Sequence, residues 1–182
     1  MSIAGSMIRK AFPADARGCA TVNLLSWRSA YKGLIAEETL DKLNIDELEK
    51  KWVWRFGLDD PAVFCFVAEN DEKEIIGYVL CGNNRHTEVA VERELMAIYI
   101  LDEYRNAGLG KRMFILSVEK FIEQGVNSFV VFALNGNTPT RKFYESFLPD
   151  GNIEETIVID SISYKHTGYF WYDLKGFRFI NK

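Results

Sequence analysis

Hydrophobic positions along this chain change period several times, and each change marks an element. Met7 to Phe12 reads as a short strand. Pro13-Ala14-Asp15 then opens a helix through about Tyr31, with Val22, Leu25 and Trp27 among its apolar positions, and Gly33 breaks it. Leu40, Leu43, Ile45, Leu48 and Trp52 are spaced by charged residues, which predicts a helical stretch over 36–58, whole or in two pieces. Asp59-Asp60-Pro61 is a turn. Val63 to Glu69 and Ile75 to Cys81 are strands joined by the hairpin loop Asn70-Asp71-Glu72-Lys73. Residues 82–90 are a polar connection, and 94–101 an apolar strand. Leu109 to Gln124 carries Phe114, Val118, Phe121 and Ile122 at helical spacing, and Gly125 ends that helix. Ser128 to Leu134 is an almost unbroken apolar run, as in a strand covered on both faces. Thr138 as N-cap and Pro139 at the first helical position open a last helix, which runs to about Phe147 and stops before Pro149. Ile153 to Ser163 and Gly168 to Leu174 form a closing antiparallel pair around Lys165-His166-Thr167-Gly168.

At 182 residues the default is one domain, 1–182, large enough for a sizeable core. Met1 to Ser6 is a small-residue extension, disordered or carried over from expression, with Met7 as the working start. A hydrophobic fraction of 48% with 14% aromatic residues describes a folded chain. Net charge −4 and a pI near 5.3 argue against nucleic acid or an anionic membrane as partner and suit a cationic amine. Cys19, Cys65 and Cys81 are scattered and odd in number, as expected of reduced thiols in a cytoplasmic protein. With no Cys-x-x-Cys pair and only His86 and His166, no metal site is expected. There is no Gly-x-Ser-x-Gly elbow, membrane-length apolar run or signal-peptide pattern.

The most informative segment is 94–112. An apolar strand runs into Arg105-Asn106-Ala107-Gly108-Leu109-Gly110, and that loop runs into an amphipathic helix. Glycines at a strand-to-helix turn let backbone N–H groups close around an anion, and the helix N-terminus adds partial positive charge. Lys111 and Arg112 oppose the helix dipole there, which a polyphosphate would offset. A dinucleotide fingerprint from Gly108 would need glycine at Met113. A P-loop ending at Gly110-Lys111 would need glycine at Arg105 and Ser or Thr at Arg112. The loop alone could also be a plain left-handed connection. The strand before it and a second motif, Asn137-Thr138-Pro139-Thr140-Arg141-Lys142-Phe143-Tyr144-Glu145, favour the anion reading.

These two segments resemble the (Arg/Gln)-x-x-Gly-x-(Gly/Ala) loop and the Asn-x-x-Ala-x-x-Phe-Tyr-Glu segment of the GNAT superfamily of acyl-CoA-dependent N-acetyltransferases. Thr140 stands where Ala is usual. The family's following Gly-Phe is replaced by Leu148-Pro149, which puts the next turn in question. The order β-α-α-β-β-β-α-β-α-β-β also matches. The resemblance therefore implies an α/β (α+β) single-domain GNAT fold, with a central mixed, mostly antiparallel twisted sheet flanked by helices.

It further implies acetyl transfer from acetyl-CoA to a primary amine by direct attack in a ternary complex, with no metal. The acceptor would be a small molecule or a protein or peptide amino group, and a homodimer is compatible with the paired C-terminal strands. Residues 105–111 (Arg105, Asn106, Ala107, Gly108, Leu109, Gly110, Lys111) would hold the pyrophosphate. Ile98, Tyr99 and Ile100 would offer backbone groups to the pantetheine and thioester, and Asn137 would position the cofactor arm. Tyr144 would protonate the departing thiolate, since a phenol with pKa of about 10 is protonated at neutral pH. Glu94, heading the strand, would assist deprotonation of the amine or orient it, with Glu92, His86 and Asp102 as rivals. Trp27 and Tyr31 would line the acceptor side, or simply pack their helix on the sheet. The alternatives are a transferase using another acyl-CoA and a non-catalytic acyl-CoA sensor.

Overall fold

The computed structural model of the chain describes residues 6–177. The proposed extension, 1–6, lies outside the described residues except for Ser6. In chain order the elements are β1 (Met7–Lys10), α1 (Ala16–Ala30), α2 (Glu37–Asp41), α3 (Ile45–Phe56), β2 (Phe64–Glu69) and β3 (Ile75–Asn83). Then follow β4 (Arg93–Ile100), α4 (Leu109–Glu123), β5 (Phe129–Leu134), α5 (Thr138–Glu145), β6 (Gly151–Ile159) and β7 (Ile162–Trp171). The strands form one seven-stranded sheet in the order β1-β2-β3-β4-β5-β7-β6. Pairing is parallel between β4 and β5 and antiparallel for β1–β2, β2–β3, β5–β7 and β6–β7. The mixed, mostly antiparallel sheet flanked by helices is the architecture expected from the sequence.

Two compact units share the chain. One holds the chain up to Cys81 with Ala97–Phe114, and the other holds Gly82–Met96 with the chain from Ile115 onward. In the first, Cys19, Ala20 and Val22 of α1 are fully buried, and Trp52 of α3 meets Tyr78 edge-on at 4.7 Å. The 36–58 stretch splits in two because Asn44 caps α3, accepting from the N–H groups of Asp46 and Glu47 at 2.9 and 3.1 Å. Arg9 ties the strand edge together, donating twice to Asp15 (2.8 and 2.9 Å) and once to Glu69 (2.8 Å).

In the second unit, Phe129 stacks on Trp171 at 4.7 Å, and Phe121 packs against Phe129. Helix α5 is fixed by its polar groups. Arg141 Nε donates to the Tyr169 hydroxyl (3.0 Å), which donates to Glu145 (2.7 Å), and Trp171 Nε1 donates to the Phe147 carbonyl (3.1 Å).

Two sequence expectations need correction here, and the turn left in question after α5 is now defined. The N-cap of α5 is Asn137, not Thr138; its side chain accepts from Thr140 N–H, so Pro139 takes the second helical position. After the helix, Leu148 adopts a left-handed conformation, φ 51°, at the position where the resembling motif carries glycine. The β6–β7 turn is at Asp160-Ser161, where both φ values are positive (48° and 67°), and not at 165–168. That is the geometry a two-residue hairpin loop demands, and Asp tolerates it without glycine. Lys165, His166, Thr167 and Gly168 accordingly lie within β7.

Candidate active site

In the first unit, β4 ends in a 3-10 turn, Asp102–Tyr104, pinned by the buried Tyr104. Arg105 folds back over this turn. Its Nε donates to the Ile100 carbonyl (3.1 Å) and its Nη2 meets Asp102 (2.9 Å). Asn106 (φ 63°) and Gly108 (φ 82°) are both left-handed. A Cβ on Gly108 would meet nothing within 4 Å, so the backbone conformation alone calls for glycine there. The first intrahelical bond of α4 runs from Arg112 N–H to the Gly108 carbonyl at 3.0 Å, which makes Gly108 the helix cap. The amides of the next residues have no acceptor within the helix. Leu109 is buried and anchors this turn, whereas Ala107 and Gly108 are exposed. The arrangement sets an exposed, left-handed turn at the positive end of a fifteen-residue helix.

Beside this loop, Ile98, Tyr99 and Ile100 are half-buried. The Tyr99 and Tyr31 hydroxyls are hydrogen-bonded at 2.8 Å, and Trp27 meets Tyr31 edge-on at 5.0 Å. Burial pushes the Tyr31 phenol above its ordinary pKa, partly offset by the bond to Tyr99. Trp27, Tyr31 and Tyr99 thus form one aromatic group, with Trp27 and Tyr31 still half-exposed. Of the rival bases, Asp102 is engaged by Arg105 and by the Ser29 hydroxyl.

The second unit holds Glu94, Asn137 and Tyr144. The parallel ladder joins Arg93, Glu94 and Leu95 to Phe129, Val130 and Val131; β4 then runs on to Ile100 and β5 to Leu134. Tyr144 is 3% exposed, with its ring against Phe143 and Tyr169. Phe143 and Phe147 share a face as their spacing requires, with centroids 5.1 Å apart. The Asn137 side-chain oxygen is used in capping α5. Glu92, another rival, accepts from the Asn127 N–H at 2.9 Å.

Glu94 is 2% exposed, so it is not a solvated strand-end carboxylate. Arg85 holds both of its oxygens, at 2.7 and 2.8 Å, and His86 Nε2 is 3.6 Å away. On its other side, His86 Nδ1 is 2.7 Å from Glu155. Glu155 is directly opposite His166 in the β6–β7 register, and His166 Nε2 is 3.7 Å from its carboxylate. Phe132 stacks on both imidazoles, at 3.8 Å from His86 and 4.4 Å from His166. Burial, and then the neighbouring His86, lower the His166 pKa below its ordinary value.

Glu155 and His166 escaped the sequence reading. The five residues of the cluster, Arg85, His86, Glu94, Glu155 and His166, are scattered along the chain, and the misplaced turn put His166 in solvent. The available signal was the pair Asp160-Ser161, which, read as a two-residue turn, sets Glu155 against His166.

The acetyltransferase (GNAT) family matches residues 23–148 of the chain. The uncharacterized N-acetyltransferase YuaI of Bacillus subtilis is 29% identical over 171 residues, 94% of this chain and 95% of its own. Among solved structures, the PaiA N-acetyltransferase from Thermoplasma acidophilum, in complex with coenzyme A, superposes with a TM-score of 0.67 at 19% identity, covering 92% of this chain and 98% of that one. YncA from Salmonella typhimurium, solved with acetyl-CoA, gives 0.66 at 15% identity, covering 94% and 95%. The two structural likenesses concern the fold; the family match, which takes in the 105–111 loop and the whole of α5, is what decides that the chain belongs to the GNAT acetyltransferase family.

Proposed function

We propose that the protein transfers an acetyl group from acetyl-CoA to a primary amine, by direct attack of the amine on the thioester in a ternary complex. Family membership supports acyl transfer in general. The observation that carries the cofactor reading is the loop Arg105–Gly110: two left-handed residues, Asn106 and Gly108, lead into the N-terminus of α4, the end of a helix that favours an anion such as a pyrophosphate. The coenzyme A and acetyl-CoA bound in the PaiA and YncA structures support the same choice.

On this reading residues 105–111 hold the pyrophosphate. Backbone groups of Ile98, Tyr99 and Ile100, beyond the β4–β5 ladder, bind the pantetheine arm and polarise the thioester carbonyl. Attack by the neutral amine forms a tetrahedral oxyanion, and the nitrogen loses its proton to water; collapse breaks the C–S bond, and Tyr144 supplies the proton to the thiolate and is reprotonated from solvent. Asn137 acts by fixing the start of α5, and so the direction in which Tyr144 points. Trp27 and Tyr31 contact the acceptor, either a small molecule or a peptide amino group. Glu94 orients the amine; with both oxygens occupied by Arg85, taking the proton directly would mean displacing the guanidinium. Among the described residues no helix is long and apolar enough to cross a membrane, and we place the activity in the cytoplasm.

The test is thiol release from acetyl-CoA against a panel of polyamines, amino acids, aminoglycosides and peptide N-termini, with product mass confirming N-acetylation. Release of thiol that depends on one amine class supports the reading. Tight acetyl-CoA binding without turnover on any amine would leave the sensor alternative in its place.

A further inference from the structure

We propose that His86, Glu155 and His166 form a binding site for a divalent transition-metal ion of the zinc type. This site is independent of the acetyl-CoA reading. One ligand atom from each residue lies within 4.8 Å of the other two. The separations are 2.7 Å between His86 Nδ1 and Glu155 and 3.7 Å between His166 Nε2 and Glu155. A tetrahedral zinc with bonds of about 2.0–2.1 Å sets its donors about 3.3 Å apart. The two histidine donors lie no more than 4.8 Å apart, so shifts of up to about 1.5 Å would seat the ion, within the reach of side-chain torsions.

Two further observations point to a missing ligand. His166 is 4% exposed, and its Nε2, turned toward Glu155, has no hydrogen-bond partner. The second oxygen of Glu155, Oε1, is also buried without one. Two unsatisfied polar atoms on adjacent strands are costly when empty and are satisfied together by one cation.

The surroundings suit the task. Glu155 and His166 are cross-strand partners, so their spacing is set by the sheet. The His86 turn is held by Asn84, whose amide donates to the carbonyls of His86, Val89 and Val91 and whose oxygen accepts the His86 N–H. With Nδ1 bound to the ion, Nε2–H of His86 faces Glu94, itself fixed by Arg85, and a ligating histidine commonly donates its other N–H to a carboxylate in this way. His86 and Glu155 side chains keep 17% of their exposure, which leaves a coordination position for water. Two imidazoles and one carboxylate select against magnesium and calcium, which demand oxygen donors.

The experiment uses full-length, tag-free protein stripped of metal and titrated with zinc against a chromophoric chelator. One zinc per chain, competing effectively with the chelator, is expected, with affinity falling at least ~100-fold in both Glu155→Gln and His86→Ala, each having lost one of three ligands. Cobalt(II) should give the intense visible bands of a low-coordinate site, bleached by zinc. Glu155→Gln is isosteric and at a position that is not fully buried, so it guards against the chance that a His166 variant fails to fold; circular dichroism checks each variant. Failure to compete with the chelator, equal affinity in the variants, a hydrated octahedral cobalt spectrum, or displacement of zinc by magnesium at similar concentration would each overturn the site.

Discussion

Gly108→Ala isolates the conformational requirement of the phosphate loop. A Cβ there has nothing within 4 Å, so the substitution introduces no clash. What remains is the cost of a left-handed L-residue at φ 82°, about 1–2 kcal/mol. If the loop keeps its shape, the folded state bears that cost, and Tm falls by about 2–8 °C for a chain of this size. If the loop relaxes instead, Tm barely moves and the cost appears on binding, when the amides must be turned back toward the pyrophosphate. Coenzyme A affinity then falls about 5–30-fold. Calorimetry with coenzyme A and with pantetheine, which lacks the pyrophosphate, separates these cases, and pantetheine affinity should be unchanged in both. Coenzyme A and pantetheine weakening together would refute the reasoning, because the loop would then be acting on the whole fold. A harsher variant, Gly110→Val, sets a branched side chain at the second residue of α4 and should cost coenzyme A binding a few kcal/mol, roughly several charge-assisted hydrogen bonds. Unchanged affinity in that folded variant would remove the pyrophosphate assignment.

Three other outcomes are expected. Tyr144→Phe should slow single-turnover acetylation by roughly 10²-fold with coenzyme A affinity preserved, and a chemical step as fast as wild type would make Tyr144 a packing residue. Leu148→Gly should raise stability by about 0.5–1 kcal/mol, because relief of the left-handed strain of about 1–2 kcal/mol outweighs the added freedom of the unfolded chain; a lower denaturation midpoint would contradict this. Asp15→Asn should destabilise at neutral pH by about 1–3 kcal/mol, the scale of hydrogen bonds to a charged group. Arg9, aided by the Phe12 N–H and opposed by burial, holds the Asp15 carboxyl below its ordinary 3.8. A depressed folded value stabilises above the unfolded one and is lost as pH falls through the folded one, so the variant's stability should decline less steeply below about pH 4. Parallel curves for the two proteins in that range would be the contrary result.

Local chemistry was legible and non-local chemistry was not. The 94–112 segment could be read because its strand, loop and helix are contiguous, and glycine, basic residues and apolar spacing all speak at short range. The helical period over 36–58 was legible for a similar reason; whether it runs whole or in two pieces was left open, although Asn44 before Ile45 is a cap that needs no tertiary information. The C-terminal hairpin failed because two glycine-like signals compete there. Gly168 sits in a polar run and invites a turn, while Asp160-Ser161 carries no glycine at all.

Gly168 is needed for packing. A Cβ there would lie 2.5 Å from the Phe132 ring, so the missing side chain makes room for an aromatic on the neighbouring strand. That same ring stacks on both imidazoles, so the glycine that misled the turn assignment also seats the aromatic floor under His86 and His166. With the turn at 165–168, His166 would be a lone solvated histidine. With the turn at Asp160-Ser161, it enters β7 opposite Glu155 and within the sheet. Strand register fixes which side chains share a face. The titratable cluster of the second unit is therefore a consequence of where two residues accept positive φ, a choice that the pair Asp160-Ser161 carries and that nothing near His86 or Glu94 in the sequence announces.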